Sequence, residues 1–427
     1  MRKSLMNLIT TTLVGASVVF SMGTTTALAE TLAITGGTVH TLGKKGTLTN
    51  ATILIEDGKI RAIGQNIRIP AGAEVIDARG RIVVPGSMHS GSRLGLSEIS
   101  LTEDSNEHSA KKSPFTAAFD VRRGLKSNSI VIPDNRRQGL THAITQPSGS
   151  DGIFSGSGAV ISLTGTADMI YGKGPMIANP SKAGNRNIAW AKMRLIFDQV
   201  KYYDRNRSAI QQGKGPGDFL LTTYNMAALV PVLKGKQKLV VLVDSEDDIR
   251  QAIALKKDYD LDLIISGAVE AWRVAAELVA AKVPVIINPQ ANLPGSFGQV
   301  AATFRNAALL EEAGVEFAIS PGGMAANHNA FMVNQMAGLA VAHGLDWSRA
   351  LEAITLSPAR IFGIDNSFGS LEKGKIANIV LWDGDPLEVT SNVSHVIVRG
   401  VNHPLVSRRT MLRDRYLDLN KKPYAYH

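Results

Sequence analysis

The sequence predicts an α/β protein in which a parallel sheet wound with helices fills the middle of the chain and a smaller all-β part is assembled from its two ends. Three observations lead there. Short runs of alternating apolar and polar residues, broken by turn signals, occupy residues 32–85. A similar short-strand pattern returns at residues 378–383 and 395–401. Between them the apolar period changes from that of strands to that of strands alternating with helices, most clearly after Lys238.

The first strand-rich part reads LAITGGTVHTL, ATILIEDGKIRAIGQ and AEVIDARGRIVVPG. Asp57-Gly58 between two such runs is a strong hairpin signal, because the favoured turn needs positive φ at both central residues. In the centre, KLVVLVD is followed by DDIRQAIALKKDY, DLIISG by EAWRVAAELVAA, and VAATFRNAALLEEAG leads into VEFAIS. Apolar strands alternating with helical stretches mean βα units and a parallel sheet. A series of them permits a (β/α)8 barrel or an open doubly wound sheet, and the pattern alone does not choose. Residues 106–236 are less regular. They are expected to hold barrel strands at THAITQP and AVISLTG and a helix over about residues 191–207.

The chain opens with Arg2 and Lys3, an apolar stretch over residues 8–22, and Ala27-Leu28-Ala29 ahead of Glu30. That order is the pattern of a secretory signal peptide, so residues 1–29 are expected to be removed on export to the periplasm. The apolar run is shorter than the ~20 residues of a bilayer crossing, so no membrane span is expected after cleavage. The chain of 427 residues has no cysteine and is 44% hydrophobic, so stability must come from a large apolar core rather than disulfides. Loss of Arg2 and Lys3 lowers the formal charge from +9 to +7. The remaining basic residues are scattered, which argues against a nucleic-acid footprint.

Local motifs carry a more specific likeness. The run Asn50 to Ile60 (NATILIEDGKI), with VIDA at residues 75–78 and VVPG at 83–86, resembles the amino-terminal signature of the amidohydrolase superfamily. TLSPA at residues 355–359, GSLEKGK at 369–375 and DGDP at 383–386 resemble the segment that returns that family's chain from barrel to sandwich. SGAVEAWRVAAELVAAKVPVIINP is similar to the imidazolonepropionase-like and prolidase-like branch. The resemblance implies a (β/α)8 TIM-like barrel over residues 86–364, with a β-sandwich formed by residues 30–85 and 365–427. It also implies hydrolysis of C–N bonds in amides or cyclic amides by a metal-bound water.

The same resemblance places metal ligands where this chain has none. The two positions of the family's His-x-His fall on Gly91 and Arg93. Glycine has no side chain, and arginine stays protonated with no lone pair to offer. The family's next ligands would fall among Leu242, Val243 and Asp244, at Ser266, and in Ser320-Pro321-Gly322-Gly323, and no bridging lysine is found near Met176. A divalent ion needs three or more well-placed ligands, so no metal and no other cofactor is expected; zinc enters only if a reduced site survives.

Four residues stand out as candidates at the strand ends where barrel enzymes build their sites. Arg93 could pin a substrate carboxylate, against an ion pair with Glu98. His89 could contact substrate, against a packed core histidine. Asp244 could act as acid, base or lone ligand, against a role with Ser245 in capping the helix that Asp247 and Asp248 open. His328, beside Asn327, could serve the pocket mouth, against a surface-loop histidine. His108 and His142 are weaker, and Ser155-Gly156-Ser157-Gly158 reads as a loop turn. The implied functions are a non-catalytic relative that binds a small molecule or partners a metal-bearing paralogue, an active C–N bond hydrolase with a reduced or relocated metal site, and a structural module with a filled pocket.

Overall fold

The structure, a computed structural model, describes residues 31–417, so the expected signal peptide lies outside the described residues. Five strands come first: β1 (Thr31–His40), β2 (Thr47–Glu56), β3 (Lys59–Gly64), β4 (Glu74–Asp77) and β5 (Ile82–Pro85). Eight follow in the centre: β6 (Ser87–Ser92), β7 (Leu140–Thr145), β8 (Phe154–Ser162), β9 (Ile170–Ala178), β10 (Leu239–Val243), β11 (Leu263–Gly267), β12 (Val285–Ile287) and β13 (Phe317–Ile319). Three close the chain: β14 (Ile379–Trp382), β15 (Val393–Val398) and β16 (Val401–His403).

The two ends form one hydrogen-bonded sheet in the order β16-β15-β14-β5-β1-β2-β3, with β4 also on β1. The join is β5 against β14, antiparallel, with Pro85 opposite Ile379. This sheet has an apolar core of its own that includes Ile34, Ile53, Val83, Ile379 and Ile397. Asp57 and Gly58 turn between β2 and β3 with φ of 52° and 74°, the left-handed pair that the hairpin requires.

The central strands form a second sheet in the order β13-β12-β11-β10-β9-β8-β7-β6. One residue from each strand packs into a shared interior: Met88, Ile144, Val160, Ile177, Val240, Ile264, Ile286 and Ala318. Inward-facing side chains from all eight strands meet only if the sheet curls into a barrel. Its closure is incomplete, because β6 and β13 share no backbone ladder; the Ser90 N–H donates instead to Ser320 Oγ at 3.1 Å. The opposite face of the sheet packs against the helices in the largest apolar cluster.

From β9 onward the strands are parallel and joined through helices, as the period change predicts. The barrel departs from a uniform (β/α)8 pattern at β8, which runs antiparallel to both β7 and β9. THAITQP and AVISLTG are thus strands, as expected, but a hairpin rather than a crossover helix connects them. The Ser155–Gly158 segment is a correction: it belongs to β8, whose residues are all buried, and is not a loop turn. Gly156 there has φ of +116°, and a Cβ on it would overlap the carbonyl oxygen of Phe119, so glycine lets the two backbones meet. The helix expected near 191–207 runs over Arg186–Arg205, starting earlier because the Asn185 side chain caps the N–H groups of Asn187 and Ile188.

Candidate functional site

A cavity of about 650 Å³ opens at the carboxyl ends of the parallel strands. Its wall takes Gly91 and Arg93 after β6, Gln146 after β7, Asn179 after β9, Asp244 after β10, Ser266 and Gly267 at the end of β11, Asn288 after β12 and Ser320 after β13. Because β8 is antiparallel, it reaches the same rim with its beginning, at Ser155. This is the end of a barrel at which the connecting loops build sites.

Arg93 lies on the wall half-buried, its N–H donating to the Ala326 carbonyl at 2.7 Å. The ion pair with Glu98 is not formed: that carboxylate accepts the Ile130 N–H at 3.0 Å, and among the described residues no acid pairs with Arg93. The nearby Arg93 charge adds to burial in lowering the His108 pKa. His108 itself is held by Ser148, whose carbonyl and hydroxyl lie 3.3 and 3.0 Å from Nδ1.

Asp244 lines the same cavity from the end of β10, four strands away from β6 in the sheet. The helix cap is a second correction. Ser245, not Asp244, is the cap residue of the Glu246–Tyr259 helix, its Oγ accepting from the Asp248 N–H at 3.3 Å. Asp244 is freed for the pocket, where Gln299 Nε2 donates to its carboxylate at 2.8 Å. Burial pushes the Asp244 carboxyl above the usual aspartate range, and the Glu270 and Asp248 charges add to this against the opposing Gln299 hydrogen bond.

His89 is fully buried in β6 and does not line the cavity, so it is not a substrate contact. Its Nδ1 accepts the Gly91 N–H at 3.1 Å and lies 3.1 Å from Ser320 Oγ. That places its proton on Nε2, which is buried without a hydrogen-bond partner among the described residues. Burial lowers its pKa to about 4, so it is a neutral strut beneath two pocket residues. His142 is likewise buried, stacked on Phe368 at 4.9 Å. His328 is a further correction: it stands half-buried away from the cavity, its carbonyl accepting from Arg409 at 3.3 Å.

Sequence reasoning missed Gln146 and Gln299, whose contacts are made only through loops. Gln146 carried one available signal, its place just beyond an apolar strand. A Cβ on Gly91 would lie 2.9 Å from Gln146 Nε2, so the amide occupies the space that a side chain at position 91 would need. The residues at the metal positions therefore do not fit a divalent ion. Arg93 and Ser320 supply no ligand of the family's kind, and among the described residues no three His, Asp or Glu side chains are grouped to hold one.

The fold is thus an eight-stranded barrel with a pocket at its carboxyl end, joined to a β-domain built from both chain ends. Residues 246–402 match the amidohydrolase family, a stretch that includes the Ser266, Gln299 and Ser320 walls. The fold matches an amidohydrolase of Thermotoga maritima with a TM-score of 0.77, at 24% identity over 88% of this chain and all of the other. A molinate hydrolase structure matches with a TM-score of 0.55, at 16% identity over 93% and 98% of the two chains. A 5-methylthioadenosine/S-adenosylhomocysteine deaminase of Desulforudis audaxviator is 37% identical over 108 residues. That alignment spans 23% of this chain and 24% of the deaminase, about a quarter of its length.

Proposed function

We propose that this protein is an exported member of the superfamily whose barrel pocket binds a small molecule without the family's divalent metal. The single observation that carries the proposal is a cavity of about 650 Å³ lined by Gly91, Arg93, Ser266 and Ser320, where the family resemblance would place metal ligands. Cavities of this size suit small-molecule ligands, whereas a purely structural role predicts a pocket packed with side chains. The test is elemental analysis of untagged protein from metal-supplemented cells. Well under one zinc per chain is the expected result, and one or more tightly held zinc ions would overturn the proposal. Export predicts that the protein recovered from the periplasm begins at Glu30.

A second reading, retained hydrolysis of C–N bonds, is favoured by one feature: the raised pKa of Asp244, a part-buried carboxylate on the pocket wall suited to proton transfer. Turnover of dipeptides or cyclic ureides that disappears in Asp244→Ala would support it. Unchanged turnover in that variant would remove Asp244 from the chemistry.

A further inference from the structure

The charges inside the pocket identify the class of ligand, an inference that rests on the cavity being a ligand site. Arg186 and Asp248 neutralise each other at 3.0 Å, and Lys182 stands exposed at the rim. Arg93 and Asp244 are different. Both are partly buried on the wall, and no opposite charge pairs with either among the described residues. Removing a charge from water without a partner is costly, so each of these groups is stabilised by a ligand that supplies the opposite charge.

Their placement sets the shape of that ligand. In the strand order β6-β7-β8-β9-β10, the β10 strand is the fourth neighbour of β6, and it is equally the fourth from β6 through β13. Arg93 and Asp244 therefore sit on opposite sides of the mouth. Eight strands spaced ~4.8 Å apart and tilted by the usual ~40° enclose a ring roughly 15 Å across. Apart from the paired Arg186 and Asp248 and the exposed Lys182 at the rim, the wall between the two poles offers hydrogen-bonding side chains: Gln146, Ser148 and Asn179 on one side, Ser266, Asn288 and Ser320 on the other. Behind Asp244 stands Glu270, whose carboxylate accepts the Glu246 and Ala301 N–H groups at 3.0 and 2.9 Å. The field at that pole is negative, and at the Arg93 pole it is positive.

We infer that the pocket takes a small linear zwitterion, its carboxylate on the Arg93 guanidinium and its ammonium on the Asp244 carboxylate. Charges attached to a single carbon, as in an α-amino acid, are too close together to reach both poles. Charges at the two ends of a chain of several atoms are not. In this scheme Arg93 takes over, with a fixed organic cation, the positive charge that the family obtains from an ion, and it directs that charge at binding.

The test is calorimetric titration of the full mature chain with 5-aminopentanoate, pentanoate and pentylamine. The zwitterion is expected to bind at least tenfold tighter than either singly charged probe. Arg93→Gln should erase the preference for 5-aminopentanoate over pentylamine, with Arg93→Lys restoring part of it. Asp244→Asn should erase the preference over pentanoate. Circular dichroism of each variant separates loss of the group from loss of the fold. Equal binding of pentanoate and 5-aminopentanoate, or binding of none of the three at millimolar concentration, overturns the zwitterion assignment. Tight binding of glutarate or putrescine alone would also overturn it while leaving the proposed ligand-binding role intact. Only stoichiometric zinc would remove both.

Discussion

Acid should unfold this protein through its two buried barrel-strand histidines, and the size of the effect follows from their surroundings. His142 on β7 has its Nδ1 2.8 Å from Thr141 Oγ1 and its ring against Phe368, with no hydrogen-bond partner at Nε2. Burial lowers its pKa from 6.5 to about 3, and that of His89 from 6.5 to about 4. Both rings are thus neutral in the fold down to pH 5, while in the unfolded chain they titrate near 6.5. The stability they protect is fully present above 6.5 and is lost as the pH falls toward the folded values, because the unfolded state binds the extra protons. Integrating that linkage from pH 7 to pH 5 gives about 2 kcal/mol for each histidine, or about 4 kcal/mol for the pair. Carboxylates add little in this interval, since their ordinary values lie lower. The assay is urea unfolding at both pH values in wild type and in His142→Phe, which keeps a ring on Phe368 but cannot titrate. The variant should lose about 2 kcal/mol less than wild type between the two pH values. Equal pH dependence in wild type and variant would refute the assignment of the acid sensitivity to His142.

Other substitutions separate roles that the sequence left merged. Ser245→Ala should cost about 1 kcal/mol in urea unfolding, because it removes the cap of the Glu246–Tyr259 helix, and should leave ligand affinity unchanged. Asp244→Ala should do the reverse, altering affinity while leaving the cap in place. Gly156→Ala should destabilise by about 3 kcal/mol or more, since it adds positive-φ strain to a backbone clash with Phe119; a midpoint unchanged from wild type would show that β8 can move. Gln299→Ala should raise the Asp244 pKa further, since the hydrogen bond that favours the carboxylate is gone, and a carboxyl-region infrared titration would read the shift.

Legibility followed the physical origin of each feature. The alternation over residues 32–85 is read directly because those strands bury one face, and Asp57-Gly58 is read because its backbone conformation excludes most residues. The β7–β8–β9 hairpin is different. Both β7 and β8 are buried along their whole length, so their sequences lack the alternation of a half-exposed strand and carry no mark of strand direction. His89 and Arg93 are near each other in sequence, yet one lies beneath the floor and the other on the wall. That division depends on the register shift between His89 and Ser92 in β6 and on which neighbours, Ser320 and Gln146, arrive from elsewhere.

The amino-acid sequence by itself determined the α/β class, the all-β part shared between the chain ends, and the glycine, arginine and serine at positions 91, 93 and 266. These are properties of residue type and local period, which need no partner. Tertiary structure alone decided that β8 runs antiparallel, that Gln146 fills the space above Gly91, and that Ser245 rather than Asp244 caps the helix. It also decided that two unpaired opposite charges stand across one cavity. Such facts are relations between segments far apart in the chain, and closure of the barrel is what brings them within contact distance.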